Sequence, residues 1–92
     1  MVNRIAICDD VEVERFVLKR QLMVYFQTNG REAQIQEYES GESLLADIEE
    51  GYIWPDLIFL DIYMGDLNGM DTARKLRDKM RGTGVSVTRS GD

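Results

Sequence analysis

Histidine is absent from the 92-residue sequence. The chain therefore has no imidazole for general acid–base catalysis, and Ser-His catalytic triads are excluded. A phosphohistidine cannot form within the chain either.

Cysteine, proline and long apolar runs are also scarce. The single Cys8 cannot form an internal disulfide, and its apolar neighbours predict a small buried side chain in a reducing cytoplasm. One proline and no low-complexity segment argue against extended disorder. The sequence shows no secretory leader and no run long enough to cross a bilayer. We expect a cytoplasmic protein with no membrane partner.

Basic residues are outnumbered by acidic ones, with 11 Lys and Arg, a net charge of −6 and a pI of about 4.6. Such a chain repels nucleic-acid phosphates, so we expect no nucleic acid as a partner of this piece. Its length suffices for one small domain with a limited core.

Apolar and polar residues alternate in blocks that predict three strand–helix units followed by a weak strand. Strands are expected over 4–8, 34–38, 57–60 and 85–88, helices over 11–28, 40–51 and 69–80, and a loop over 61–68. Alternation at this spacing is typical of right-handed βαβ units on a parallel sheet. We therefore expect an α/β fold with a parallel sheet of three to four strands.

Acidic side chains follow two of these strands: Asp9 and Asp10 after the first, and Asp61 after the third. Ligands of parallel sheets bind beyond the carboxyl ends of the strands, so adjacent strands would bring the three carboxylates together. Their mutual repulsion calls for a hard cation, for which Mg²⁺ is the natural choice. We expect Asp10 and Asp61 to bind Mg²⁺ directly and Asp9 through water, with a main-chain carbonyl just after Asp61.

Asp61 is also the candidate nucleophile. An ionised carboxylate needs no general base, so it can attack a phosphoryl group in line and form an acyl phosphate. A simpler interpretation stays open for the Asp9-Asp10 pair, since such pairs after a strand often serve only as a turn and helix cap.

Four short segments resemble the receiver domain of bacterial response regulators in their residues, their order and their spacing. The segments are 5–10, 38–42, 55–64 and 68–71. The resemblance covers roughly residues 3–80. It implies a flavodoxin-like, three-layer fold, here truncated. The Cys-Asp-Asp start and the Leu-Asp-Ile-Tyr-Met stretch are most similar to receivers that precede LytTR-type DNA-binding domains, so a longer form would carry such a domain.

The resemblance also implies a function. Asp61 would accept a phosphoryl group from a sensor histidine kinase in a two-component system, and Asp9, Asp10 and Asp61 would form the Mg²⁺ pocket with the carbonyl of Tyr63. The chain would then be a signalling domain rather than an enzyme. In the family, a Ser or Thr ending the fourth strand and a Lys ending the fifth sense the phosphate, and Thr88 lies near the first of these positions.

The sequence departs from the family in several places. Gly65 stands where proline is usual, and Asn68-Gly69 replaces the commoner Asp-Gly. The fourth helix, the fifth strand with its Lys, and the fifth helix are missing. We therefore divide the chain into a partial receiver domain, 1–80, and an atypical tail, 81–92, either a weak strand or disordered. A natural short form, a shortened piece and a frameshifted tail all remain open.

The first predicted helix has apolar residues on two faces rather than one. One face holds Leu18, Leu22, Tyr25 and Phe26; the other holds Val13, Phe16, Val17, Met23 and Val24. Without a final helix beside it, the second face should remain bare, and bare apolar faces attract partners. We therefore expect a homodimer or a domain-swapped oligomer.

Two rival functions accompany the receiver hypothesis. The missing Lys favours a phosphorylation-independent interaction module or an inactive fragment, whereas the acidic pocket opposes it. A phosphatase of the haloacid dehalogenase type would need a second Asp two positions after the nucleophile. Tyr63 occupies that position, which disfavours the phosphatase.

Overall fold

The computed structural model describes residues 2–61, 63–64, 67–79 and 84–88. Its elements are β1 (Val2–Cys8), α1 (Glu12–Thr28), β2 (Glu32–Tyr38), α2 (Gly41–Glu49), β3 (Leu57–Asp61), β4 (Tyr63–Met64), β5 (Leu67–Asn68), α3 (Gly69–Lys79) and β6 (Gly84–Thr88). The predicted order of three strand–helix units and a final strand is confirmed. No helix in these ranges is long and apolar enough to span a membrane.

The main sheet has four parallel strands in the order β2-β1-β3-β6. The expected α/β fold is therefore confirmed, and its parallel sheet has four strands, the larger of the two expected numbers. β6 forms despite its small, polar sequence because its backbone pairs with β3 along five residues, from Leu57–Gly84 to Asp61–Thr88. The loop expected over 61–68 is partly wrong: β3 extends to Asp61, and β4 and β5 form a short antiparallel pair.

Helices lie on both faces of this sheet, which gives three layers. Successive strand residues point to opposite faces, so β1 contributes to two separate cores. Ile5 and Ile7 pack with Phe26 of α1 on one side. Ala6 and Cys8 pack on the other side, against α2 and α3. The buried residues there include Leu44 and Ile48 of α2 and Leu76 of α3. The side chain of Cys8 is buried, as expected.

The ends of the helices follow local chemistry. Ser40 caps α2, because its hydroxyl oxygen accepts a hydrogen bond of 3.2 Å from the main-chain N–H of Ser43. Gly30 and Gly51 follow α1 and α2 with φ angles of 67° and 78°. Few residues other than glycine adopt this left-handed backbone conformation. The two glycines therefore allow the chain to leave the helix after α1 and after α2.

The two apolar faces of α1 have different environments. Leu18, Leu22 and Phe26 pack against the sheet, as expected. Tyr25 does not: it is 57% exposed and its ring meets Phe26 edge-on at 5.4 Å, outside the core. The other face is exposed, as predicted. We call it the outer apolar face of α1, and it consists of Val13, Phe16, Val17, Met23 and Val24.

Candidate functional site

The candidate site lies at the carboxyl ends of β1 and β3. These strands are neighbours, and their last paired residues are Cys8 and Leu60. Asp9 and Asp61 each follow by one residue, which brings two carboxylates to the same edge of the sheet. Asp61 is 1% exposed and Asp9 is also buried. The predicted meeting of these two side chains is therefore observed.

A third carboxylate comes from α1. One carboxylate oxygen from each of Asp9, Glu14 and Asp61 lies within 4.8 Å of the other two. Glu14 sits in the first turn of the helix, where the positive end of the helix dipole favours an acidic side chain. Nothing in the sequence singles out Glu14, because a Glu in a first helical turn is common without any ligand.

The other predicted site residues have different positions. Asp10 is exposed and is not a member of the three-carboxylate group found among the described residues. Tyr63 begins β4, two residues after Asp61. Thr88 ends β6 and is paired with Asp61 in the β3–β6 ladder. The position of Gly65 lies outside the described residues.

Burial and charge together disfavour ionisation of Asp9. Burial raises the pKa of Asp9 from 3.8 to about 7, and a hydrogen bond with Glu14 and the charges of Asp61 and Glu14 act in the same direction. The main-chain N–H of Val11 opposes them, since it donates to Oδ1 of Asp9 at 2.9 Å. The pKa of Cys8 rises to about 12, through burial first and then the nearby Asp9 and Asp61. A cation bound in this pocket would favour the ionised form of its carboxylates.

Arg15 fixes the loop that carries Asp9. Its buried guanidinium donates from Nη1 to the main-chain carbonyl of Asp9 at 2.7 Å. The same side chain forms an ion pair with Glu37 of β2, Nε to Oε1 at 3.4 Å, and Lys19 binds the second oxygen of Glu37 at 3.4 Å. The guanidinium therefore connects the β1–α1 loop, α1 and β2.

The donor set fits a hard divalent cation. All three side chains offer carboxylate oxygens, the ligands that Mg²⁺ prefers. Among the described residues, Oε2 of Glu14 is buried with no hydrogen-bond partner. A buried carboxylate oxygen without a partner is costly, and a bound cation would remove that cost.

Comparison with known proteins shows which family this chain is similar to. Residues 5–91 match the response regulator receiver domain. The match therefore extends beyond residue 80, the boundary predicted for the partial domain. In sequence, the chain is 27% identical over 78 residues to the transcriptional regulatory protein YdfI of Bacillus subtilis (strain 168), covering 85% of this chain and 34% of that relative. The chain thus spans about a third of the length of this curated relative.

Solved structures agree in fold. The response regulator protein TrrA from Thermotoga maritima, in complex with Mg²⁺–BeF, is 29% identical with a TM-score of 0.71, covering 92% of this chain and 65% of that one. The MaeR response regulator bound to beryllium trifluoride superimposes with a TM-score of 0.78 at 20% identity, covering 98% of this chain and 69% of that one.

Proposed function

Because this chain belongs to the response regulator receiver domain family, we propose that it accepts a phosphoryl group on Asp61 from a sensor histidine kinase. The main support for this proposal is the position of Asp61. Its side chain is 1% exposed at the end of β3 and lies with two other carboxylates in one pocket. A carboxylate kept there against such repulsion is typical of a functional site rather than of a structural core.

The proposed step is a direct transfer. A carboxylate oxygen of Asp61 attacks the phosphorus of the kinase phosphohistidine, the new O–P bond forms, and the P–N bond breaks. The imidazole nitrogen of the kinase takes the electron pair and then a proton from solvent. Asp61 needs no general base, because it attacks as the ionised carboxylate. The absence of histidine from this chain is therefore compatible with the reaction.

We propose Mg²⁺ as the cofactor of this step. Asp9, Asp61 and the exposed Asp10 would hold it, with the main-chain carbonyl of Tyr63. When bound, Mg²⁺ offsets the charge of the phosphoryl oxygens and of the carboxylates. Two observations support this choice. Among the described residues, Oε2 of Glu14 is buried without a hydrogen-bond partner, and the related protein TrrA was solved in complex with Mg²⁺–BeF.

Thr88 is the proposed residue that detects the phosphoryl group. Its pairing with Asp61 supports this role, since paired residues of neighbouring parallel strands lie side by side. A hydroxyl there would donate to a phosphoryl oxygen on Asp61. The sensing step would then begin at β6.

The proposed setting is a cytoplasmic two-component pathway, in which the domain acts as a signalling module and forms homodimers or domain-swapped oligomers. The outer apolar face of α1 supports self-association, because Phe16 is 62% exposed and its neighbours on the helix are also apolar. The same face favours a second candidate function, a phosphorylation-independent interaction module. A longer form of the protein would add a DNA-binding domain.

Incubation with acetyl phosphate and Mg²⁺, followed by intact mass spectrometry, tests the proposal. We expect the mass of one phosphoryl group on the wild type, dependent on Mg²⁺ and absent from Asp61→Asn. Asp56→Asn is the matched control, because Asp56 is exposed before β3 and its loss should leave labelling intact. No Mg²⁺-dependent label on the wild type would overturn the proposal and favour the interaction module.

A further inference from the structure

Glu14 is the unexpected member of the acidic pocket. Its carboxylate approaches Asp9 and Asp61 within 4.8 Å, although it belongs to a helix and they follow strands. Within the described ranges, its Oε2 is buried and lacks a hydrogen-bond partner. A buried, unpartnered carboxylate oxygen beside two other carboxylates is unfavourable unless a cation binds there.

We infer that Glu14 is a cation-binding residue of this pocket and provides the third carboxylate beside Asp9 and Asp61. This inference rests on the proposed function, because it assumes that the pocket binds Mg²⁺. The sequence pattern favours Asp10 as the third carboxylate; in the structure Asp10 is exposed and is not a member of the three-carboxylate group. Glu14 is half-buried and its carboxylate is within 4.8 Å of both other carboxylates, whereas Asp10 is exposed.

The assignment has a consequence for α1. Asp9 and Asp61 lie at the ends of two strands of the sheet, whereas Glu14 belongs to the first turn of the helix. A cation held by all three would attach that turn to the sheet. The neighbouring Arg15 already holds the same loop through the Asp9 carbonyl. Cation binding should therefore slow hydrogen exchange of the amides in the first turns of α1.

A purely structural role for Glu14 is the alternative. Glu14 shares a hydrogen bond with Asp9, and that contact alone could explain why the side chain is half-buried. Glu14→Gln separates the two roles: the amide keeps a donor for Asp9 but loses the negative charge that a cation needs. Glu12→Gln is the matched control, because Glu12 is an exposed acidic residue of the same helical turn.

Calorimetric titration with Mg²⁺ alone is the test. We expect Glu14→Gln to weaken Mg²⁺ binding at least about tenfold, since ligand charge sets the affinity of such sites. Glu12→Gln should stay within about twofold of the wild type, because an exposed charge is screened. Exchange of the α1 amides should slow with Mg²⁺ in Glu12→Gln and not in Glu14→Gln at the same concentration.

Equal Mg²⁺ affinity in the two variants would overturn the role of Glu14. If the wild type still bound Mg²⁺ and took a phosphoryl group on Asp61, the proposed function would survive that result. A wild type that bound no Mg²⁺ would overturn both, and the two failures are therefore distinguishable. Asp10→Asn adds a direct comparison: a larger loss there than in Glu14→Gln would return the third position to Asp10.

Discussion

The guanidinium of Arg15 donates a 2.7 Å hydrogen bond to the main-chain carbonyl of Asp9. Through this contact, a buried cation on α1 holds the loop that carries one of the pocket carboxylates. The same side chain reaches Glu37 at the end of β2. The position of Asp9 therefore depends on three elements rather than on β1 alone.

Arg15→Ala should destabilise the protein by about 2 kcal/mol, because it removes a buried, charge-assisted hydrogen bond. Lys19→Ala is the control: Lys19 pairs with the same Glu37 but is much more exposed, so about 0–1 kcal/mol is expected. Urea unfolding measures both values. Equal small losses would show that Arg15 does not hold the loop.

Stability without metal should depend on pH through Asp9. The pKa of Asp9 is raised from 3.8 to about 7 in the folded protein, so the folded state holds a proton that the unfolded state releases. This contribution is complete below the unfolded value and is lost as the pH rises through about 7. The free energy of unfolding of the wild type relative to Asp9→Asn should therefore fall between these two pH values. A difference that stays constant with pH would contradict the buried position of Asp9.

Self-association should require the outer apolar face of α1. The double variant Phe16→Ser, Val24→Ser replaces two exposed apolar residues of this face and should sediment as a monomer where the wild type is a dimer. Tyr52→Ser is the control, since Tyr52 is also exposed but lies after α2. A monomeric wild type at high micromolar concentration would contradict the proposed homodimer.

Thr88 should matter after phosphorylation rather than for it. Thr88→Ala should still accept the phosphoryl group on Asp61, but hydrogen exchange along β6 should no longer change on phosphorylation. Thr88→Ser keeps the hydroxyl and should respond as the wild type does. A loss of labelling in Thr88→Ala, or an unchanged response, would contradict the sensing role.

Strong local patterns made the fold and half of the site predictable. Four apolar residues before Asp61 predict a buried strand, and the Asp9-Asp10 pair marks the end of another. Parallel topology then brings Asp9 and Asp61 to one edge, as the structure shows. These inferences need only the order of the elements, which short-range patterns determine well.

The remaining features depend on how α1 lies against the sheet. Sequence alone does not reveal that Glu14 turns into the pocket or that Arg15 is buried, because charged residues of a first helical turn are usually solvated. The exposure of Tyr25 has the same origin, since its helical position is next to Phe26, which packs inward. The small, polar residues of β6 give only a weak strand pattern. This segment is a strand because its backbone pairs with β3.

Chemical trapping shows directly whether Asp61 carries the phosphoryl group. Borohydride reduces an aspartyl phosphate to homoserine, so phosphorylated protein can be reduced, digested and sequenced by mass spectrometry. We expect homoserine at position 61, formed only with Mg²⁺ and a phosphodonor. Homoserine at another aspartate, or at none under those conditions, would contradict it.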